Sequence, residues 1–243
     1  MKRDAQNNSM NPAPGDGKPS SARPPRPIEA IIFDLDGTII DTERTAALAV
    51  EEVFLEWKIP IHFDDATYLT GRTWESAFTF LFNKYPIPVP IIEAKKALLA
   101  RYRKRLEENL TTVPGSVQAI QSLAAKYPLA LVSGSGRSEI IWALTQLKVI
   151  DHFQFILGAE DYQSSKPHPE GYLKAMKIMG KTPETCLIFE DSTPGIASAR
   201  AAGAWVVAVT STNHFKHDLA LAHSKIKDLT AVNAAWVGKL DFS

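Results

Sequence analysis

A chain of 243 residues with 45% hydrophobic and 22% charged side chains can bury a core of its own and has an ordinary globular composition. Lys+Arg and Asp+Glu both number 27, and this neutral balance removes the main electrostatic argument for binding nucleic acid or an anionic membrane. The single cysteine, Cys186, excludes an intramolecular disulfide and a cysteine-built metal site, and no run approaches the roughly 18 apolar residues of a membrane helix, which together suit a cytoplasmic enzyme.

Residues 1–27 hold six of the sixteen prolines and little that is large and apolar besides Met1 and Met10. Such a stretch cannot bury enough surface to offset its ordering entropy, so it is expected to be a disordered Pro-rich tail. It lacks the apolar stretch of a secretory signal. Ile28–Phe33 then reads as a strand that ends at Asp34. From about 42 to 112 no good strand occurs, but helical patterns run over Thr42–Trp57, Trp74–Phe82 and Ile91–Asn109. That interval is too long for a simple crossover. It is expected to form a separate helical unit over the strand ends, hinged near Asp41–Glu43 and Thr112–Gly115, with Trp74, Phe78 and Phe82 at helical spacing on its packing face.

Further strands are expected at Leu129–Val132, ending at Ser133, and more weakly at Phe153–Leu157. Two more follow at Cys186–Phe189, ending at Glu190 and Asp191, and at Trp205–Val209. Helical stretches at about 116–126, 136–148, 169–180 and 194–202 separate them. Continuous apolar strands alternating with helices indicate a parallel sheet covered on both faces. The expected fold class is therefore α/β, a Rossmann-like parallel-sheet core (28–41 and 113–243) with an inserted small all-helical cap (42–112).

In such sheets ligands bind beyond the carboxyl ends of the strands, and those ends carry Asp34, Ser133, Glu190 and Asp191. A turn at Gly37 would bring Asp34 and Asp36 to one site, where one can be ligand and nucleophile while the other handles protons. An ordinary solvated Asp-Gly turn is the competing reading. Glu190 and Asp191 would add hard oxygen ligands suited to Mg²⁺, or cap the helix that Pro194 opens; both hold if Asp191 takes metal and Ser192 or Thr193 caps. Ser133-Gly134-Ser135-Gly136 would cradle an anion or serve as a flexible connection. It is not a dinucleotide fingerprint, because Glu139 stands at the third glycine position. Lys166, just before a stretch stiffened by Pro167 and Pro169, suits phosphate binding, although a lone lysine is usually a surface charge. His168 reads as structural, and His214-x-x-His217 lacks a third metal ligand.

Together these motifs resemble the haloacid-dehalogenase superfamily, in its branch of beta-phosphoglucomutase-like and sugar-phosphate phosphatase-like members with a small helical cap. The likeness spans about residues 28–212 and rests on Asp34-Leu35-Asp36-Gly37-Thr38, Val132-Ser133-Gly134-Ser135, Ser165-Lys166-Pro167-His168-Pro169 and Glu190-Asp191-Ser192, in that order. The resemblance implies that Asp34 attacks phosphorus and that Asp36 protonates the leaving alkoxide and later activates water. It implies Mg²⁺ held by Asp34, the Asp36 carbonyl and Asp191, with Glu190 near the metal, and phosphoryl oxygens held by Ser133, the Gly134 N–H and Lys166. Asp36 also separates phosphoryl transfer from dehalogenation, which needs no acid. Where the mutase carries a histidine and an arginine, this chain has Ala46 and Trp74, which favours a phosphatase over a phosphosugar mutase. A non-catalytic phospho-ligand binder would be expected to lack one of the essential groups, and none is lacking. The expected substrate is a small phosphorylated metabolite, with Arg72, Trp74 and Lys104 as candidate specificity side chains and a monomer as the default state.

Overall fold

The computed structural model describes residues 27–66, 74–214 and 217–240. The proline-rich stretch up to residue 26 and the Gly71-Arg72-Thr73 segment, including the proposed substrate ligand Arg72, lie outside the described residues. In chain order the elements are β1 (Ala30–Phe33), α1 (Glu43–Glu56), α2 (Phe63–Ala66), α3 (Trp74–Lys84), α4 (Ile91–Glu108) and α5 (Ser116–Ala124). There follow β2 (Leu129–Val132), α6 (Arg137–Gln146), β3 (Phe155–Leu157), α7 (Glu170–Met179), β4 (Cys186–Glu190), α8 (Thr193–Ala201), β5 (Trp205–Val209), β6 (Ser224–Ile226) and α9 (Ala234–Val237). No helix among the described residues is long and apolar enough to cross a membrane.

The six strands form one parallel sheet in the order β3-β2-β1-β4-β5-β6. Alternate residues of each strand point to opposite faces, and in β1, β2 and β4 both sets are buried. Ile31, Phe33, Leu129, Leu131, Leu187, Phe189, Val207 and Val209 meet Ile120 and Leu123 of α5 and Ile140 and Leu144 of α6. On the other face Ala30, Ile32, Val132, Cys186, Ile188 and Val206 meet Tyr172 and Met176 of α7 and Ile196 and Ala199 of α8. Burial on both faces is why the strands read as unbroken apolar runs. The expected strand over 153–157 begins only at Phe155, because Ile150–His152 close into a short 3₁₀ turn first.

Among its described residues the 42–112 interval holds the helices α1 to α4 and no strand. Its helices pack on a cluster of their own, formed by Val50, Val53, Phe54, Ala66, Ala77, Phe78, Leu81 and Leu98. Trp74 stacks on Phe78 at 5.7 Å, whereas the expected third member of that face, Phe82, gives way to Leu81. A second small cluster of Ala49, Tyr102 and Leu106 packs against Trp142 of α6, and the Arg103 guanidinium lies 4.1 Å from that indole. The two connections run side by side: Asp41 N–H donates to the Thr111 carbonyl at 2.9 Å, and Ile40 bridges Thr112.

Candidate active site

The sheet order fixes where chemistry can happen. β1 leads to β2 on one side, while β4 pairs on its other side, so the direction of winding reverses between β1 and β4 and leaves a crevice at their carboxyl ends. Phe33 is in register with Phe189, and Asp34 N–H donates to the Phe189 carbonyl at 3.0 Å. Asp34 therefore emerges beside Glu190 and Asp191, with Ser133 at the end of β2 on the opposite flank.

The chain then turns sharply. Gly37 sits at φ +81°, a left-handed conformation that favours glycine, and its N–H donates to the Ile40 carbonyl at 2.7 Å. A Cβ there would lie 1.9 Å from Asp191 Oδ2, so the missing side chain makes room for that carboxylate. Thr38 Oγ1 donates to Asp191 Oδ1 at 3.4 Å, and Thr212 Oγ1 donates to the Gly37 carbonyl at 2.6 Å. The turn brings Asp36 back to the site from the other side. Thr42 Oγ1 donates to its Oδ1 at 2.7 Å, Ser135 Oγ to its Oδ2 at 2.6 Å and Ser133 Oγ to the same oxygen at 3.2 Å. Tyr102, on α4, adds its hydroxyl at 3.3 Å from Oδ1.

Asp34, Glu190 and Asp191 are buried and offer carboxylate oxygens that all lie within 4.8 Å of one another. One buried cation joins two of them. Lys166 Nζ donates to Asp34 Oδ1 at 2.5 Å and to Glu190 Oε1 at 2.6 Å. Burial pushes the Asp34 carboxyl well above the usual carboxylate range; Lys166 opposes this, and the charges of Glu190 and Asp36 add to it. Burial also works against charge on Glu190, but the Lys166 charge and hydrogen bonds from Lys166, Ser192 and Tyr172 outweigh it and hold that carboxyl low. Burial would lower Lys166, yet Asp34 and Glu190 together push its ammonium well up. Asp34, Glu190 and Asp191 thus set hard oxygen donors around one ammonium, with the Asp191 carboxylate in the room that Gly37 leaves. That donor set fits a divalent cation such as Mg²⁺.

The two acids of the Glu190-Asp191 pair differ in surroundings. Glu190 is saturated: Oε1 accepts from Lys166 and Tyr172, while Oε2 accepts from the Asp191 and Ser192 N–H groups and Ser192 Oγ. Ser192 is the helix cap, its Oγ accepting from Gly195 N–H at 3.2 Å. Gly134 lies in the β2–α6 connection, which the Tyr162 hydroxyl ties down by donating to the Ser133 carbonyl at 2.7 Å. Lys104 stands in solvent beside Glu108 at 3.9 Å. His214 pairs with Asp41 at 3.0 Å, and among the described residues no group of potential metal ligands includes a histidine.

Sequence reading missed Thr42, Ser135 and Tyr102 as partners of Asp36, and Tyr172 as a partner of Glu190. Ser135 stands within a motif already noted, and Thr42 within the expected hinge at Asp41–Glu43. Nothing local marks either tyrosine, since each reaches the site across the fold.

A family model described as haloacid dehalogenase-like hydrolase matches residues 31–209. The chain is 30% identical over 215 residues to protein CbbY of Rhodobacter capsulatus, covering 84% of this chain and 95% of that protein. It is 30% identical over 175 residues to the fructose-1-phosphate phosphatase YqaB of Escherichia coli, covering 71% of this chain and 92% of the relative. The crystal structure of CbbY from Rhodobacter sphaeroides matches with a TM-score of 0.76 over 88% of this chain and all of that one; at 23% identity this is a likeness of fold.

Proposed function

The chain belongs to the haloacid dehalogenase-like hydrolases, and from that premise we propose that it is a Mg²⁺-dependent phosphatase that hydrolyses a small phosphomonoester, a sugar phosphate or a similar metabolite. The observation that carries this reading is the gathering of buried Asp34, Lys166 and Asp191 with half-buried Asp36 beyond the carboxyl ends of β1, β2 and β4. Relatives named as phosphatases, among them the fructose-1-phosphate phosphatase, point the same way.

In this reading an Asp34 carboxylate oxygen attacks phosphorus in line with the ester oxygen. The P–O bond to the substrate breaks, and Asp36 gives its proton to the departing alkoxide. The resulting aspartyl-phosphate is hydrolysed when Asp36 takes a proton from water and the water oxygen attacks phosphorus. Phosphate leaves and the Asp34 carboxylate returns. Lys166, Ser133 Oγ and the Gly134 N–H hold the equatorial phosphoryl oxygens and offset charge that grows in the transition state. Asp34, Asp191 and the Asp36 carbonyl would hold Mg²⁺, which supplies further charge neutralisation when bound. Glu190, with both oxygens already hydrogen-bonded, orients Lys166 and the Asp191 loop. Residues 42–112 act as the cap that excludes water, and residues 28–41 and 113–243 as the catalytic core. The enzyme is a cytoplasmic monomer in this reading.

Water as final acceptor is favoured over a second sugar phosphate because Ala46 and Trp74, half-buried in the helical clusters, cannot supply a mutase's proton control or second phosphate ligand. Asp34→Asn keeps the shape but removes the nucleophile. It is expected to abolish Mg²⁺-dependent phosphate release from a panel of hexose phosphates, glycerol phosphates, phosphoglycolate and nucleotides. Full activity in that variant would overturn the mechanism, and interconversion of hexose 1- and 6-phosphates faster than phosphate release would replace hydrolase with mutase.

A further inference from the structure

Tyr172 is a fully buried aromatic side chain, and its position in the first turn of α7 sets it directly beneath the active-site charges. Its hydroxyl donates to Glu190 Oε1 at 2.8 Å, the oxygen that also accepts from Lys166. Its ring lies 5.1 Å from Lys166 Nζ, within range of a cation–π attraction. The same side chain therefore grips both members of the Lys166–Glu190 pair, one through a hydrogen bond and the other through its π face. Gly171 keeps the turn close to the sheet, since a Cβ there would lie 2.9 Å from Val132 Cγ1. Burial pushes the Tyr172 hydroxyl well up, followed in effect by the Glu190 charge, so it stays a donor.

The geometry points to Tyr172 as a positioning residue: by fixing Glu190 Oε1 and the Lys166 ammonium together, it holds Lys166 at Asp34, where the transferring phosphoryl group arrives. This rests on the phosphatase reading above. Lys166 is otherwise a flexible four-carbon stem, and its ammonium must sit where charge develops on phosphorus rather than relax toward either acid. Among the described residues the Tyr172 hydroxyl donates to Glu190, one step away from the proposed metal ligands Asp34 and Asp191.

The test compares wild type with Tyr172→Phe, which keeps the ring and the packing, and Tyr172→Leu, which removes the ring as well. Activity is normalised to folded protein well below the melting temperature. The Lys166 ammonium resonance is followed by ¹⁵N NMR and assigned by its loss in Lys166→Arg. Tyr172→Phe is expected to lower kcat on the order of tenfold, the scale of a small misplacement of a catalytic group. The Mg²⁺ concentration for half-activity should stay within about twofold, and the ammonium resonance should broaden through faster proton exchange. Tyr172→Leu should lose more of both. An unchanged resonance in Tyr172→Phe overturns the proposal whatever the kinetics, and so does an unchanged kcat in an active enzyme. If wild type releases no phosphate, the phosphatase reading fails, and the resonance alone decides whether Tyr172 positions Lys166.

Discussion

Each acid at the sheet end has a distinct environment, and those differences support the roles proposed for them. Asp34 shares one ammonium with Glu190, Asp36 is ringed by hydroxyl donors, and Asp191 fills the space left by Gly37. The importance of that space is testable. Gly37→Ala would place a methyl group 1.9 Å from Asp191 Oδ2 in a backbone held at φ +81°. It should cost about 1–2 kcal/mol for the backbone conformation alone. Displacing Asp191 should also weaken Mg²⁺ affinity by at least about tenfold, measured by Mg²⁺ titration of activity and by thermal unfolding. The aspartates, the lysine and the glycine were all legible in the sequence because their motifs are local. Tyr102 and Tyr172 were not, because a tyrosine in an amphipathic helix reads as core until the fold shows which charge its hydroxyl meets.

At the scale of elements, the strands were easiest to read, since burial on both faces leaves them unbroken apolar runs flanked by turn residues. β6 was missed: its Ser224, Lys225 and Ile226 form an edge strand that is paired on one side only and carries no apolar run. The approach to that strand holds a pH-sensitive contact. His223 accepts from Val206 N–H through Nδ1 and faces Arg200 of α8; burial and then the Arg200 charge pull its imidazole down to about 4. The unfolded chain binds the proton near pH 6.5, so between these values the unfolded state carries more protons. The stability contribution of neutral His223 is thus present above about pH 6.5 and is lost as pH falls toward 4. His223→Asn removes the titrating group, so the fall in Tm between pH 7 and 4 should be shallower than in wild type. Equal slopes in the two proteins would exclude His223 as the source.

For the whole molecule, the helical insertion and the sheet have separate hydrophobic cores, joined by paired connections and by the Tyr102 and Arg103–Trp142 contacts. In the proposed reading a dication would bind where the carboxylate oxygens of Asp34 and Asp191 come together beside Glu190. Saturating Mg²⁺ at about 100 times its Kd should therefore stabilise the fold by about 2.7 kcal/mol and raise Tm by several degrees. Asp191→Asn should abolish the response to Mg²⁺ in calorimetry. A full metal shift in that variant would place the cation elsewhere. The sequence by itself determined the parallel-sheet class, the helical interval after the first strand and the residues at the strand ends, because apolar periodicity and turn chemistry act over a few neighbours. Only the tertiary structure decided which charges share Lys166, that Glu190 is saturated by hydrogen bonds, that Asp191 fills the room left by Gly37, and that two helices send tyrosine hydroxyls into the site. Those facts depend on strand order and on distances between residues far apart in the chain, which local patterns do not encode.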